Sequence, residues 1–75
     1  DEEADRVLTA LAGRLKARRE ELGLSINKLA ERANMTHVGV LKLESGARTP
    51  MLLSVLKMSK ALDLPLSTIL RELGH

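Results

Sequence analysis

Residues 25–46, SINKLAERANMTHVGVLKLESG, decide the fold of this chain. Apolar residues recur in this stretch at the three- and four-residue spacing of a helix, in two runs. The opening serine and Thr36 both suit N-caps, which predicts one helix over residues 26–33 and a second over residues 37–45. Asn34 falls between them and tolerates the left-handed backbone of a tight turn. We therefore expect two short helices joined by a turn, with the second facing outward.

Three more helices are predicted around this pair. They cover residues 3–22, 51–62 and 68–73. Gly23 suits the C-terminal cap of the first, Pro50 the start of the next, and Ser67 the N-cap of the last. No segment alternates with a period of two, so no strand is expected. The sequence predicts one all-α domain of five helices over residues 1–75.

The predicted core follows from the apolar face of each helix. In the first helix this face holds Ala4, Val7, Leu8, Leu11, Leu15 and Leu22. In the central pair it holds Leu29, Ala30, Ala33, Met35, Val40 and Leu43. In the fourth helix it holds Leu52, Val55, Leu56, Ser59 and Leu62. The opposite face of the helix over residues 37–45 is centred on Val38, Leu41 and Ser45, and we expect it to point away from the core.

The amino-acid composition excludes several classes of function. The 75-residue chain has no cysteine, which excludes disulfides and zinc–thiolate sites. No apolar run approaches the ~20 residues that span a bilayer, and no signal-peptide pattern opens the chain, so we expect a cytoplasmic protein without a membrane partner. Phe, Trp and Tyr are absent, which argues against single-stranded nucleic acid, usually held by aromatic stacking. Duplex DNA is the better candidate for a nucleic-acid partner.

The charge is unevenly distributed along the chain. Residues 14–60 carry ten Lys and Arg against four Glu, a net charge of +6, whereas residues 1–13 carry −3 and residues 61–75 carry −1. A basic middle suits a surface that faces a polyanion. A solvated surface of mixed charge explains the same numbers equally well, so charge alone does not decide between them.

Several short motifs along the chain match the sequence pattern of a known protein family. They are L-G-L-S at 22–25, L-A at 29–30, Val40, L-E at 43–44, Gly46, R-T-P at 48–50, A-L at 61–62 and L-S at 66–67. Over residues 11–71 the chain resembles the Cro/repressor-like helix-turn-helix family, also called the XRE family, of phage and bacterial regulators. The resemblance implies a lambda-repressor-like DNA-binding domain, here with an extended first helix, and a helix-turn-helix over residues 26–45. Two positions depart from the family pattern, since Ile26 replaces a common Gln and Asn34 a common Gly.

The outward face of the second helix of the motif is the predicted base-reading surface. The resemblance places Thr36, His37, Val38 and Lys42 near base edges or nearby phosphates, and helix geometry adds Leu41. His37 could donate to a guanine or a phosphate, and Lys42 could reach guanine O6 and N7. Val38 and Leu41 offer only apolar contacts, for example to thymine methyls. The alternatives are that Val38 and Leu41 contact another protein, and that His37 is an ordinary surface histidine.

Phosphate contacts and a structural ion pair are predicted beside this face. Ser25 and Asn27 lie at a helix start, where backbone N–H groups attract anions. The resemblance adds Ser45 and Arg48 as further phosphate contacts. It also implies an ion pair between Arg19 and Glu44 that fixes the reading helix against the first helix. Spacing alone does not choose between Arg18 and Arg19 for this pair.

A homodimer is expected, because one helix-turn-helix covers few base pairs and family members usually read two half-sites. The predicted interface is the last link and helix: Leu64, Pro65, Leu66, Ile69, Leu70 and Leu73. Some of these residues must also close the core. The first turns of the first helix, with Val7, Leu8 and Leu11, could instead join the core or a second chain.

Together these features predict sequence-specific binding of a palindromic duplex operator by a small homodimeric transcription regulator, a repressor or an operon controller, associated with a prokaryotic or phage nucleoid. The alternative is a helix-turn-helix fold used as a protein–protein interaction module. An enzyme is not expected, because paired carboxylates, a glycine-rich phosphate loop and metal-ligand spacing are lacking. His37 and His75 are too far apart in sequence to suggest a metal site. No cofactor and no small-molecule ligand are expected.

Overall fold

The described part of the chain consists of five helices without a strand. The structure is a computed structural model that describes residues 1–46 and 50–75. The helices are α1 (Glu2–Glu21), α2 (Ile26–Ala33), α3 (His37–Glu44), α4 (Leu52–Ala61) and α5 (Leu66–Glu72). This confirms the all-α, five-helix prediction.

Local signals explain the bounds of α2 and α3. Ser25 Oγ accepts a hydrogen bond from the Lys28 amide at 3.0 Å, and Thr36 Oγ1 accepts one from the Gly39 amide at 2.9 Å. Asn34 has φ 54° and ψ 50°, the left-handed conformation that the turn requires. The predicted bounds of α2 are confirmed, and α3 begins where predicted but ends one residue earlier, at Glu44.

The starts of α4 and α5 differ from the prediction. Helix α5 begins at Leu66, so Ser67 lies inside the helix and is not its cap. The carbonyl of Pro65 accepts from the Thr68 and Ile69 amides at 2.9 and 3.2 Å, and no side-chain cap is needed. Helix α4 begins at Leu52, which leaves Pro50 outside the helix. The ends of α1 and α4 likewise fall one residue before the predicted positions.

The core lies where α1, α2, α3, α4 and α5 meet. Its fully buried side chains are Leu15, Leu29, Val40, Met58, Leu62 and Ile69. Four residues expected in the core, Ala4, Leu22, Leu52 and Leu56, are exposed instead. Leu22 follows the last turn of α1, where the helical stripe has ended. Leu52 and Leu56 lie on a side of α4 that the described helices leave open, because α4 packs through Val55, Met58, Ser59 and Leu62.

Polar contacts position α1 against the rest of the domain. Arg14 Nε donates to Glu72 Oε1 at 2.9 Å, which joins α1 to α5. Arg18 Nε donates to the carbonyl of Leu62 at 3.1 Å, at the end of α4. Helix α3 packs against α1, α2 and α4. The scaffold therefore holds α3 from several sides and leaves one of its faces uncovered. In residues 1–46 and 50–75, no helix combines the length and apolar character needed to cross a bilayer.

Candidate nucleic-acid interface

The uncovered face of α3 carries the residues predicted to read bases. Thr36, His37, Val38, Leu41 and Lys42 are all exposed. Val38 is 56% exposed and Leu41 43%, whereas Val40 is fully buried and Leu43 is 5% exposed. The helix thus separates an inward apolar stripe from an outward face, as the sequence pattern predicts. This geometry leaves the outward face accessible to a groove.

Thr36 and Ser25 each use one lone pair to cap a helix. Their oxygens accept backbone hydrogen bonds at the first turns of α3 and α2. Neither hydroxyl donates to an acceptor within residues 1–46 and 50–75, so each retains a hydrogen for an outside acceptor. A hydroxyl donor beside the backbone N–H groups of a helix start suits a phosphate oxygen.

Asn27 and His37 form a contact that sequence reasoning missed. Asn27 Oδ1 lies within hydrogen-bonding distance of His37 Nδ1, which connects the first turn of α2 to the first residue of α3. Both side chains are exposed. The amide nitrogen of Asn27 is still available to a phosphate, so the contact adds to the predicted role. No sequence signal identifies this pair, because it depends on the angle between α2 and α3.

Ser45 and Arg48 do not gain support as phosphate contacts. Ser45 Oγ donates to the carbonyl of Lys42 at 2.8 Å, and its backbone N–H donates to the carbonyl of Leu41 at 3.0 Å. Both hydrogen-bond donors of Ser45 are therefore used within α3. Arg48 lies outside the described residues.

Arg19 and Glu44 form a shielded ion pair behind the reading face. Arg19 Nε donates to Glu44 Oε2 at 2.7 Å and Nη2 donates to Oε1 at 3.0 Å. The Arg19 and Glu44 side chains are only 11% and 5% exposed. The third donor, Arg19 Nη1, reaches the carbonyl of Leu24 at 2.8 Å. Hydrogen bonding to Glu44 raises the pKa of Arg19 above the usual arginine value, although burial opposes this shift.

This arrangement gives the pair a structural role. It ties α1 to the end of α3 and to the loop before α2, with the charges satisfied by one another. Arg18, the other candidate from spacing, contacts Glu21 at 3.7 Å and the end of α4 instead.

Part of the predicted dimer interface belongs to this chain's own core. Leu64 and Ile69 are buried, so the prediction that they contact a second chain is wrong. Their side chains close the core between α4 and α5. Leu66 and Leu73 are half-buried and pack against the same core, Leu70 is half-buried, and Pro65 is exposed.

An exposed apolar surface appears elsewhere, at the start of α4. It comprises Met51, Leu52, Leu53 and Leu56, the first three at 68%, 65% and 56% exposure. A groove lined by Leu56, Ser59, Lys60, Asp63, Leu64 and Pro65 continues this surface to the link before α5. The signal in the sequence was the apolar run at residues 51–53, since one face of a helix cannot bury three consecutive apolar residues.

A comparison with known protein families agrees with this geometry. Residues 15–69 match a family model described as "Helix-turn-helix", which covers well over half of the chain. The matched segment begins in α1 and ends in α5, and it includes the whole of α2 and α3. No curated protein matches the chain.

Proposed function

Because this chain belongs to the XRE family of helix-turn-helix proteins, which are DNA-binding transcription regulators, we propose that it binds a specific duplex operator as a homodimer. The regulator would be a repressor or an operon controller, acting on the nucleoid of a prokaryotic or phage-infected cell.

The observation that carries the proposal is the two-sided character of α3. Val40 and Leu43 anchor the helix in the core, and the opposite face is free of any packing helix within the described residues. An α-helix exposed in this way fits the B-DNA major groove. Lys42 supplies donors for guanine O6 and N7, and Val38 and Leu41 supply apolar contacts for thymine methyls.

Phosphate contacts would set the register of α3 in the groove. We assign them to the start of α2, where the Ser25 hydroxyl, the Asn27 amide nitrogen and the first backbone N–H groups lie together. The helix dipole adds attraction for an anion at this end. Exposed Lys28 and Arg32 on the same helix contribute general attraction, although Lys28 lies 3.9 Å from the carboxylate of Glu31.

The dimer would form through the α4–link surface, defined as Met51, Leu52, Leu53, Leu56 and Pro65. The proposed occupant is a second copy of the chain, because the groove beside this surface is lined by one cationic and one anionic side chain, Lys60 and Asp63. A two-fold axis through the groove would place Lys60 of each copy near Asp63 of the other, and the surface would then be complementary to itself. The apolar residues would then be removed from water at the centre of the interface.

Selection of bound sequences from a random duplex library tests the proposal. We expect a palindrome with half-sites about one helical turn, ~10 base pairs, apart. Binding to the selected duplex should weaken steeply with salt, since log K falls by ~0.9 per log unit of salt for each phosphate contact. Enrichment of no sequence, together with binding that salt does not affect, would contradict it.

One observation favours a second candidate function. The outward face of α3 holds two exposed aliphatic side chains, Val38 and Leu41, and few hydrogen-bonding groups. An apolar helix face of this kind also suits a protein partner. The same salt titration separates the two candidates, because binding to an apolar partner responds weakly to salt.

A further inference from the structure

We infer that Asn27 is a positioning residue that fixes the tautomer of His37, so that the neutral ring presents a hydrogen-bond acceptor to the major groove and selects a base with an amino group. The inference rests on the proposed function, since it concerns the bases that α3 reads. It replaces the expectation from the sequence that His37 could donate to a guanine or a phosphate.

The contact between the two side chains determines which ring nitrogen holds the hydrogen. A neutral imidazole has one N–H donor and one acceptor nitrogen. Asn27 Oδ1 can only accept, so its partner, His37 Nδ1, must be the donor. The other nitrogen, Nε2, then carries a lone pair. Adenine N6 and cytosine N4 are the amino donors in the major groove, whereas guanine O6 and N7 are both acceptors.

Both side chains are held by rigid elements. Asn27 is in the first turn of α2, and His37 directly follows Thr36, whose side chain caps α3. Helices α2 and α3 pack on each other through the shared core that includes Leu29, Ala30 and Val40. The separation of the two Cβ atoms is therefore set by the fold before DNA binds. Within residues 1–46 and 50–75, His37 has no second side-chain partner that competes for Nδ1.

The orientation of the ring matters for the same reason. With Nδ1 turned toward α2, Nε2 lies on the opposite side of the imidazole. Since His37 is exposed on the reading face, Nε2 is the nitrogen available to an incoming base. Asn27 Oδ1 can keep this contact while the amide nitrogen of Asn27 donates to a DNA phosphate. One side chain would then connect binding of the DNA backbone to base selection.

The first test measures the tautomer in the free protein by ¹⁵N-resolved NMR of the histidine rings, at a pH where the spectra show neutral imidazole. We expect His37 as the Nδ1–H form in the wild type. In Asn27→Ala the Nδ1–H population should fall toward that of the exposed His75, which serves as the internal reference. In Asn27→Asp, which keeps an acceptor oxygen, the Nδ1–H form should persist. An Nε2–H ring in the wild type overturns the inference.

The second test measures base preference with duplexes in which each position of the selected operator is varied. We expect one position where adenine or cytosine is preferred over guanine by about tenfold. The preference should disappear in Asn27→Ala and in His37→Ala, while preferences at the other positions remain. A guanine preference at that position, or an Asn27→Ala protein with an unchanged preference, overturns the inference.

The two tests separate this inference from the proposed function. If the protein selects no duplex sequence, the proposed function fails, and the base-selecting role of His37 fails with it whatever tautomer NMR reports. If the protein selects an operator but the ring is Nε2–H, the proposed function stands and the role of Asn27 is rejected. Asn27→Ala should fold normally because Asn27 is exposed and contributes nothing to the core.

Discussion

Arg19 and Glu44 lie on different helices and meet through two nearly parallel hydrogen bonds of 2.7 and 3.0 Å. The two side chains are largely shielded from water. A charge that loses its partner in such a place keeps its desolvation cost and gains nothing in return. The main energetic effect of the pair is therefore the cost of leaving one shielded charge without its partner.

Replacing Glu44 by alanine should lower the free energy of unfolding by ~3–5 kcal/mol, because the Arg19 guanidinium would remain largely shielded from water without its carboxylate. For a domain of this size that loss approaches the whole stability. Urea titration followed by circular dichroism measures it. Glu31→Ala is the matched control, since the Glu31 side chain is 75% exposed and contacts Lys28 only at 3.9 Å. Equal stability of the two variants would show that the ion pair is unimportant.

The destabilisation caused by Glu44→Ala should not depend on pH in mildly alkaline solution. Hydrogen bonding to Glu44 raises the pKa of Arg19. The stabilisation from that charge is complete below the ordinary arginine pKa and is lost only as the pH rises through the raised value. The difference in unfolding free energy between wild type and Glu44→Ala is therefore expected to be constant between neutral and mildly alkaline pH. A difference that shrinks over this interval would contradict the assignment.

Alanine should have different effects at Gly13 and Gly39, although both glycines lie within helices. A Cβ at Gly13 meets no atom within 4 Å, so Gly13→Ala should stabilise by ~0.5–1 kcal/mol through helix propensity. A Cβ at Gly39 would lie 3.1 Å from Thr36 Oγ1, the atom that caps α3. We expect the strained cap to cancel that gain, leaving Gly39→Ala ~1 kcal/mol below Gly13→Ala. Thermal unfolding of both variants gives the comparison, and equal gains would show that the cap accommodates the methyl group.

Leu41 and Leu22 form a matched pair for testing the reading face. They are 43% and 41% exposed, so replacing either by serine should change stability little. Leu41→Ser should weaken binding to the selected operator by ~1–3 kcal/mol and relax the preference for thymine at one position. Leu22→Ser should bind like the wild type. Binding is measured by fluorescence anisotropy of labelled duplex. Equal effects of the two substitutions would show that the base-reading surface does not lie on α3.

Charge introduced at the start of α4 should break the dimer. Leu53→Glu would bring two like charges and their hydration into the proposed interface, and we expect a monomer in sedimentation equilibrium at tens of micromolar without DNA. Leu22→Glu, at an exposed leucine outside the α4–link surface, should remain dimeric. A wild-type protein that is monomeric under these conditions would argue against the homodimer itself.

Features set by neighbouring residues were predictable from the sequence. The cap of α2 and the left-handed Asn34 each depend on one residue and its nearest neighbours, and both ends of α2 were placed correctly. The prediction that Ser67 caps the last helix was wrong. A serine before an apolar run suits an N-cap, but here the carbonyl of Pro65 already accepts from the first amides of α5.

Features set by contacts between helices were not predictable. Leu52 and Leu56 have a periodicity that is compatible with burial, and only the placement of α4 shows which of its sides remains open. The spacing of residues did not choose between Arg18 and Arg19, because that choice requires the rotation of α1 about its axis, and only the family resemblance selected Arg19. The contact between Asn27 and His37 requires the angle between α2 and α3, which no spacing rule supplies.

The anchoring of α3 on three sides has a kinetic consequence. Val40 and Leu43 are embedded in the common interior, and Glu44 is tied to α1. Amide hydrogens in the middle of this helix should therefore exchange with solvent only when the entire domain opens. Because α3 is already rigid before DNA binds, association requires no ordering step. The rate at which the protein finds its operator would then be governed by diffusion along and between duplexes.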